Sequence, residues 1–189
     1  MKAGRWQTKL NGDLSGKTLG VLGLGKLGSS VAKVGLAFGM DVIAWSQNLT
    51  DERAAEVGVR RVDKDTLMSQ SDYISIHLIL SDRSRGLIGA DDLARMKSSA
   101  YLVNTSRGPI VDQDALLKAL QDRQIAGAGI DVYSVEPLPA DSPFRTLDNV
   151  LLTPHMGYVA TDNISKMYSD AAEDIAAFLD GDPVRILNG

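Results

Sequence analysis

The stretch Gly23-Leu24-Gly25-Lys26-Leu27-Gly28 constrains this chain more than any other. The apolar run before it, Thr18 to Leu22, reads as a buried strand, and Val31 to Phe38 after it reads as a helix. Strand, glycine-rich turn and helix in that order make a phosphate-binding site. Gly23 permits the tight turn, Gly25 lets the backbone approach a pyrophosphate, and Gly28 lets helix and strand pack closely. The helix N-terminus adds free N–H groups and the positive end of its dipole. Thr18 through the next apolar run, Asp41 to Trp45, covers about the 30 residues of one βαβ unit. That context favours a dinucleotide site over a structural turn.

The rest of the chain repeats the alternation. Helices are expected at Asp51 to Val57 (capped by Thr50 or Asp51), Asp63 to Ser69, Asp91 to Met96 and Asp112 to Gln121. Strands are expected at Val59 to Val62, Tyr73 to Leu80, Tyr101 to Asn104, Ile125 to Val132 and Val150 to Thr153. This pattern implies an α/β fold, a doubly wound, Rossmann-like parallel sheet with helices on both faces. A last helix, Asp162 to Leu179, carries a wide stripe of Ile164, Met167, Tyr168, Ala171, Ile175, Phe178 and Leu179 that needs a surface to bury it. We divide the chain into a dinucleotide-binding domain with an N-terminal arm, residues 1–160, and a C-terminal helix and tail, residues 161–189. Trp6, in the arm, is expected to pack on a neighbouring surface.

Composition narrows the partners. The 189 residues allow one domain with a real core. A net charge of -4, with no long basic run, argues against nucleic acid. The polar N-terminus resembles neither a secretory signal nor a membrane span, so a cytoplasmic protein without a membrane partner is expected. Without cysteine the chain has no thiolate ligand or nucleophile, and no metal site is expected.

Three loops follow the C-terminal ends of strands, where an open parallel sheet places its ligands. They are Asn104 to Asp112, Gly129 to Leu138 and Leu152 to Tyr158. Together they offer Arg107, Glu136 and His155. With only two histidines in the chain, His155 is the natural proton carrier near neutral pH. A glutamate beside it would favour imidazolium and fix the ring tautomer, and Arg107 offers a planar fork for a carboxylate. Beside a nicotinamide, this set suits hydride transfer with an α-hydroxy or α-keto acid.

These residues resemble the cofactor-binding domain of the D-isomer-specific 2-hydroxyacid dehydrogenases. The matches lie at the glycine turn, at His77 through Gly89, Asn104 through Asp112, Asp131 through Leu138 and Thr153 through Tyr158, in family order. The resemblance implies that Arg107 binds substrate carboxylate and carbonyl, that His155 exchanges the hydroxyl proton, and that Glu136 pairs with it. It implies that Asp131 holds the nicotinamide carboxamide and that the backbone at Lys26 and Leu27 meets the pyrophosphate. Thr105, Ser106 and Gly157 are counted with the cofactor contacts, as are Ser46, Gln47, Asn48 and His77. His77 sits in an apolar strand, where a structural role at the cofactor floor competes with direct contact.

The chain departs from the expected pattern twice. Where NAD sites usually carry an acid, about 20 residues past the turn, it has Ser46-Gln47-Asn48, so NAD and NADP both stay open. The family also has a second domain, built mostly from residues ahead of the cofactor domain, and this chain begins almost at the cofactor domain. A truncated form is therefore expected, weakly active alone, working on a 2-hydroxy or 2-keto acid and commonly dimeric through this domain. A non-catalytic dinucleotide-binding module is the alternative.

Overall fold

The computed structural model describes residues 12–187 together with Gly4 and Trp6. Most of the expected arm lies outside the described residues. Trp6 itself is 70% exposed.

Seven strands form one parallel sheet: β1 (Thr18–Leu22), β2 (Asp41–Trp45), β3 (Arg60–Arg61), β4 (Tyr73–Ile76), β5 (Tyr101–Asn104), β6 (Gly127–Ile130) and β7 (Val150–Leu152). Their order is β3-β2-β1-β4-β5-β6-β7, every neighbouring pair parallel. Parallel neighbours cannot be joined by tight turns, so each connection crosses over a face of the sheet. The helices in the first unit are α1 (Lys26–Ala37), α2 (Asp51–Val57), α3 (Lys64–Gln70), α4 (Ala90–Arg95) and α5 (Gln113–Gln121). The winding reverses between β1 and β4, which opens a crevice beyond their C-terminal ends.

Side chains alternate between the two faces, so one apolar run feeds two cores. Leu19 and Val21 of β1 join Val42 and Ala44 of β2, Ala32 of α1, and Ala54 and Val57 of α2. Leu22 and Ile43, from the same strands, join Leu67 and Met68 of α3, Leu93 of α4, and Leu116 and Leu120 of α5. Burial of a Leu or Ile contributes about 1.5–3 kcal/mol each. These two clusters fix the sheet edge that carries the crevice.

Helix ends follow side-chain caps. Thr50 Oγ1 accepts from Arg53 N–H at 3.2 Å, and Asp63 accepts from Thr66 N–H at 2.7 Å. Asp112 caps α5 by accepting from Asp114 and Ala115 N–H. Three expectations need correcting. α1 begins at Lys26 rather than Val31, directly after Gly25. β4 stops at Ile76 rather than Leu80, because the neighbouring strands end at Leu22 and Asn104 and leave residues 78–80 no strand to pair with. β6 is shorter than Ile125 to Val132 for the same reason: its ladder starts at the Tyr101–Gly127 pair and closes at Ile130.

The chain divides into two compact units, residues 1–154 and 155–189. The second is built on α6 (Thr161–Leu179). Arg185 folds the tail back onto this helix, donating to Asp174 Oδ1 at 2.8 Å, Glu173 Oε2 at 2.8 Å and Asp170 O at 2.9 Å. No residue of α6 is buried, and Phe178 is 73% exposed. Among the described residues, no helix is long and apolar enough to cross a membrane.

Candidate functional site

The glycine turn leaves the sheet at Leu22. Gly23 N–H donates to Trp45 O at 2.8 Å, which ties the turn to β2. Its φ is +99°, and a Cβ there would stand 2.5 Å from His77 O, so only glycine fits without strain. A Cβ on Gly28 would collide with Gly23 O, which is how closely α1 packs on the turn. Gly25 differs: a Cβ there would meet nothing within 4 Å. The first helical bond runs from Ser29 N–H to Gly25 O at 2.9 Å. The N–H groups of Lys26, Leu27 and Gly28 therefore precede the helical ladder, as an anion site needs. The side chains of Lys26 and Leu27 are exposed.

A cavity of about 660 Å³ opens over this turn. Its walls are Gly23 to Gly25, Trp45 to Asn48, His77 to Ile79, and part of the loop that follows, including Arg83 and Ser84. A second cavity of about 440 Å³ is lined by Leu27, His77 to Leu80, and Thr105 to Arg107. The two share His77, Leu78 and Ile79, so one wall serves both. Among the described residues, no carboxylate lines either cavity. The first volume suits a cofactor-sized ligand. The side-chain-free space at Gly25 is the cradle that a pyrophosphate requires, so the residues present fit a dinucleotide.

His77 sits where β4 ends. Its N–H donates to Leu22 O at 2.7 Å, and its ring Nε2 shares a hydrogen bond of 2.8 Å with Ser75 Oγ. Burial lowers the pKa of the imidazole from its ordinary value and so favours the neutral ring. This histidine forms part of the floor and also faces both cavities.

The loop after β5 is shaped by one amide. Asn104 is 3% exposed. Its Oδ1 accepts from Ser106 N–H and its Nδ2 donates to Arg107 O, both at 3.0 Å. Ser106 Oγ donates to Ile76 O at 2.7 Å, tying the loop to β4. Arg107 is exposed and donates from Nη1 to Ser106 O at 2.6 Å. Next along, a Cβ on Gly108 would collide with the carbonyl of Tyr133, so the loops after β5 and β6 touch backbone to backbone. In the second of these loops, Glu136 Oε1 accepts from Tyr133 N–H at 2.8 Å. Asp131 is 4% exposed; its N–H donates to Asn104 O at 3.0 Å, and its carboxylate accepts from Thr153 Oγ1.

The second unit begins with His155. Its φ is +53°, in the left-handed region that non-glycine residues seldom occupy. Its ring meets Tyr158 edge-on, with centroids 5.8 Å apart.

Gly23, Gly25, Ser46, Gln47, Asn48 and His77 thus line the first cavity, and Leu27, Thr105, Ser106 and Arg107 the second. Lys26, Gly28, Asp131 and Glu136 are in the same unit but line neither cavity, and His155 and Gly157 belong to the second unit. The sequence reading missed Asn104 as an organiser of the loop and Arg83 as a wall residue. The signal for Arg83 was the polar run Ser81 to Gly86 after an apolar strand end. Among the described residues, no group of three or more His, Asp or Glu is placed to hold a metal ion.

A family model described as D-isomer specific 2-hydroxyacid dehydrogenase, NAD binding domain, matches residues 1–157. Glyoxylate reductase of Korarchaeum cryptofilum is 38% identical over 195 residues, covering 100% of this chain and 59% of that protein. The D-lactate dehydrogenase of Aquifex aeolicus, solved with NAD and lactic acid, matches at a TM-score of 0.81 and 32% identity, over 92% of this chain and 56% of that one. An acyclic imino acid reductase, solved with NADPH and D-Arg, matches at 0.79 and 30%, over 95% of this chain and 56% of that one. The chain spans little more than half the length of the relatives it matches.

Proposed function

Because the chain belongs to the D-isomer-specific 2-hydroxyacid dehydrogenase family and carries that family's NAD-binding domain, we propose that it serves the interconversion of a 2-hydroxy acid and its 2-keto acid. The observation that carries this reading is the shared wall. His77, Leu78 and Ile79 border both the cavity over the glycine turn and the cavity that Arg107 lines. A ligand anchored at the turn therefore leads toward a guanidinium suited to a carboxylate.

When bound, the nicotinamide supplies or accepts the hydride at the substrate α-carbon. The chain's own residues do the rest. The N–H groups of Lys26 and Leu27 hold the pyrophosphate, with Gly23, Gly25 and Gly28 leaving room for it. Ser46, Gln47 and Asn48 bond the adenosine ribose, and His77 closes the floor. Thr105, Ser106, Asp131 and Gly157 border the nicotinamide, with Asp131 on its carboxamide. Arg107 grips the substrate carboxylate in its fork and polarises the carbonyl. His155 gives a proton to the carbonyl oxygen in reduction and takes it from the hydroxyl in oxidation. Glu136 serves to orient that imidazole and set its tautomer.

Residues 161–189 we assign to a substrate domain, whose surface would take up the α6 stripe. We also infer association of two copies through the dinucleotide-binding domain. Val34 and Phe38, one turn apart on the outer side of α1, and Trp6 are exposed there. We also propose a cytoplasmic location, where a soluble dinucleotide is at hand.

The test joins this chain to a substrate domain from a relative and follows NAD(P)H oxidation with glyoxylate or hydroxypyruvate. His155→Gln should lower kcat by about 10²–10⁴-fold with cofactor binding kept. An unchanged rate would make the chain a binding module rather than a catalytic domain.

A further inference from the structure

The part of the crevice under β2 carries a charge pattern of its own. β2 delivers Ser46, Gln47 and Asn48 to the wall, at the position where an adenosine ribose rests when its pyrophosphate sits on the glycine turn. Sites for the unphosphorylated cofactor place an acid there, which bonds the ribose hydroxyls and repels a phosphate on the 2′ oxygen. Among the described residues, no acid lines this cavity. The one charged side chain among the described residues that line it is Arg83.

Arg83 stands on a braced turn. Ser84, next to it, is buried, and its Oγ donates to Ile79 O at 2.7 Å and accepts from Ser81 N–H at 2.8 Å. Arg85 N–H donates to Ser81 O at 2.9 Å, and Gly86 N–H to Pro109 O at 2.8 Å. The backbone on both sides of Arg83 is therefore held, while its side chain is exposed. Arg53, at the start of α2, is already engaged. It pairs with Glu56 at 2.7 Å and reaches Ser29 Oγ at 3.4 Å, and it does not line the cavity. A guanidinium on a pre-set turn, facing a wall of neutral hydrogen-bonding side chains, suits a phosphate monoester.

We propose that this crevice takes the 2′-phosphorylated dinucleotide NADPH in preference to NADH, and that Arg83 sets the preference. Arg83 pairs with the 2′-phosphate, and Ser46, Gln47 and Asn48 supply hydrogen bonds beside it. The inference rests on reading the crevice as a dinucleotide site.

Titration of the chain with NADH and with NADPH, followed by nicotinamide fluorescence, tests both levels. NADPH should bind about tenfold more tightly, the value of one good charge-assisted contact. Arg83→Ala should erase that advantage and leave NADH affinity within about twofold, and Arg83→Lys should restore part of it. Ser46→Asp should reverse the preference. The NADPH advantage should also shrink as salt rises from about 0.05 to 0.5 M, because an exposed ion pair is screened. Tighter binding of NADH by the unaltered chain would overturn the proposal. So would an Arg83→Ala variant that loses both ligands equally, since a structural role would do that. Binding of neither dinucleotide would instead overturn the reading of the crevice itself.

Discussion

The two ends of the ligand edge are made in opposite ways. Over β1, β2 and β4 the crevice is formed by missing side chains: Gly23 turns where no Cβ fits, and Gly25 faces open space. Beyond β5, the rim is formed by side chains that bond to backbone. The Asn104 amide holds Ser106 N–H and Arg107 O, and Ser106 ties the loop to Ile76. The first end can serve a ligand whose oxygens take backbone N–H groups. The second can aim a charged side chain, because a buried amide sets the backbone that carries it.

The sharpest way to break this contrast is at the glycines. Gly23→Ala adds a Cβ at a φ of +99° and against His77 O, so it should cost about 3 kcal/mol in urea unfolding and abolish dinucleotide binding. Gly25→Ala should leave the unfolding midpoint unchanged yet weaken dinucleotide binding about tenfold or more, because its methyl group enters ligand space and touches no protein atom. Equal loss of stability in both variants would mean that the turn is structural throughout.

At the other end, Asn104→Ala removes both side-chain bonds of a buried amide: Ser106 N–H loses its acceptor, and Arg107 O keeps only Ile110 N–H at 3.3 Å. The substitution should cost about 1–3 kcal/mol. Dinucleotide affinity should change little in that variant, while the KM for a 2-keto acid rises in the joined enzyme. A change confined to cofactor affinity would erase the distinction between the two ends.

The smallest effect concerns the wall they share. Burial holds the pKa of His77 below its unfolded value of about 6.5. The unfolded chain therefore binds the proton first as pH falls. His77 contributes stability that is fully present above about pH 6.5 and is lost as pH drops through the folded pKa. One such group gives a slope of at most about 1.4 kcal/mol per pH unit. His77→Gln should flatten that slope in urea midpoints measured from pH 7.5 downward, with little change above pH 7.

Much of this was legible in the residues because the constraints were local. β1, β2 and β5 have the bounds their apolar runs suggest, since a parallel strand is buried on both faces. The glycine spacing announced the turn. The same apolar signal overran at β4, because Leu78 and Leu80 stay apolar after the neighbouring strands have ended. The start of α1 was hidden by Gly28, a poor helix former that sits in the first turn because Gly23 O leaves no room for a Cβ. Arg107 could be picked out, but the Asn104 amide beneath it could not, since its bonds depend on how a loop closes. Arg83 stood in a polar loop like many others until the fold brought it to the wall that Ser46 occupies.

The contact at Gly108 limits how this domain could be re-tuned. With the Tyr133 carbonyl where a side chain would be, the segments carrying Arg107 and Glu136 cannot be exchanged one at a time for versions borrowed from a relative. A graft that changes one backbone path must bring the matching path with it. Changes of substrate are therefore reached more readily by single replacements on these two segments than by transplanting either alone.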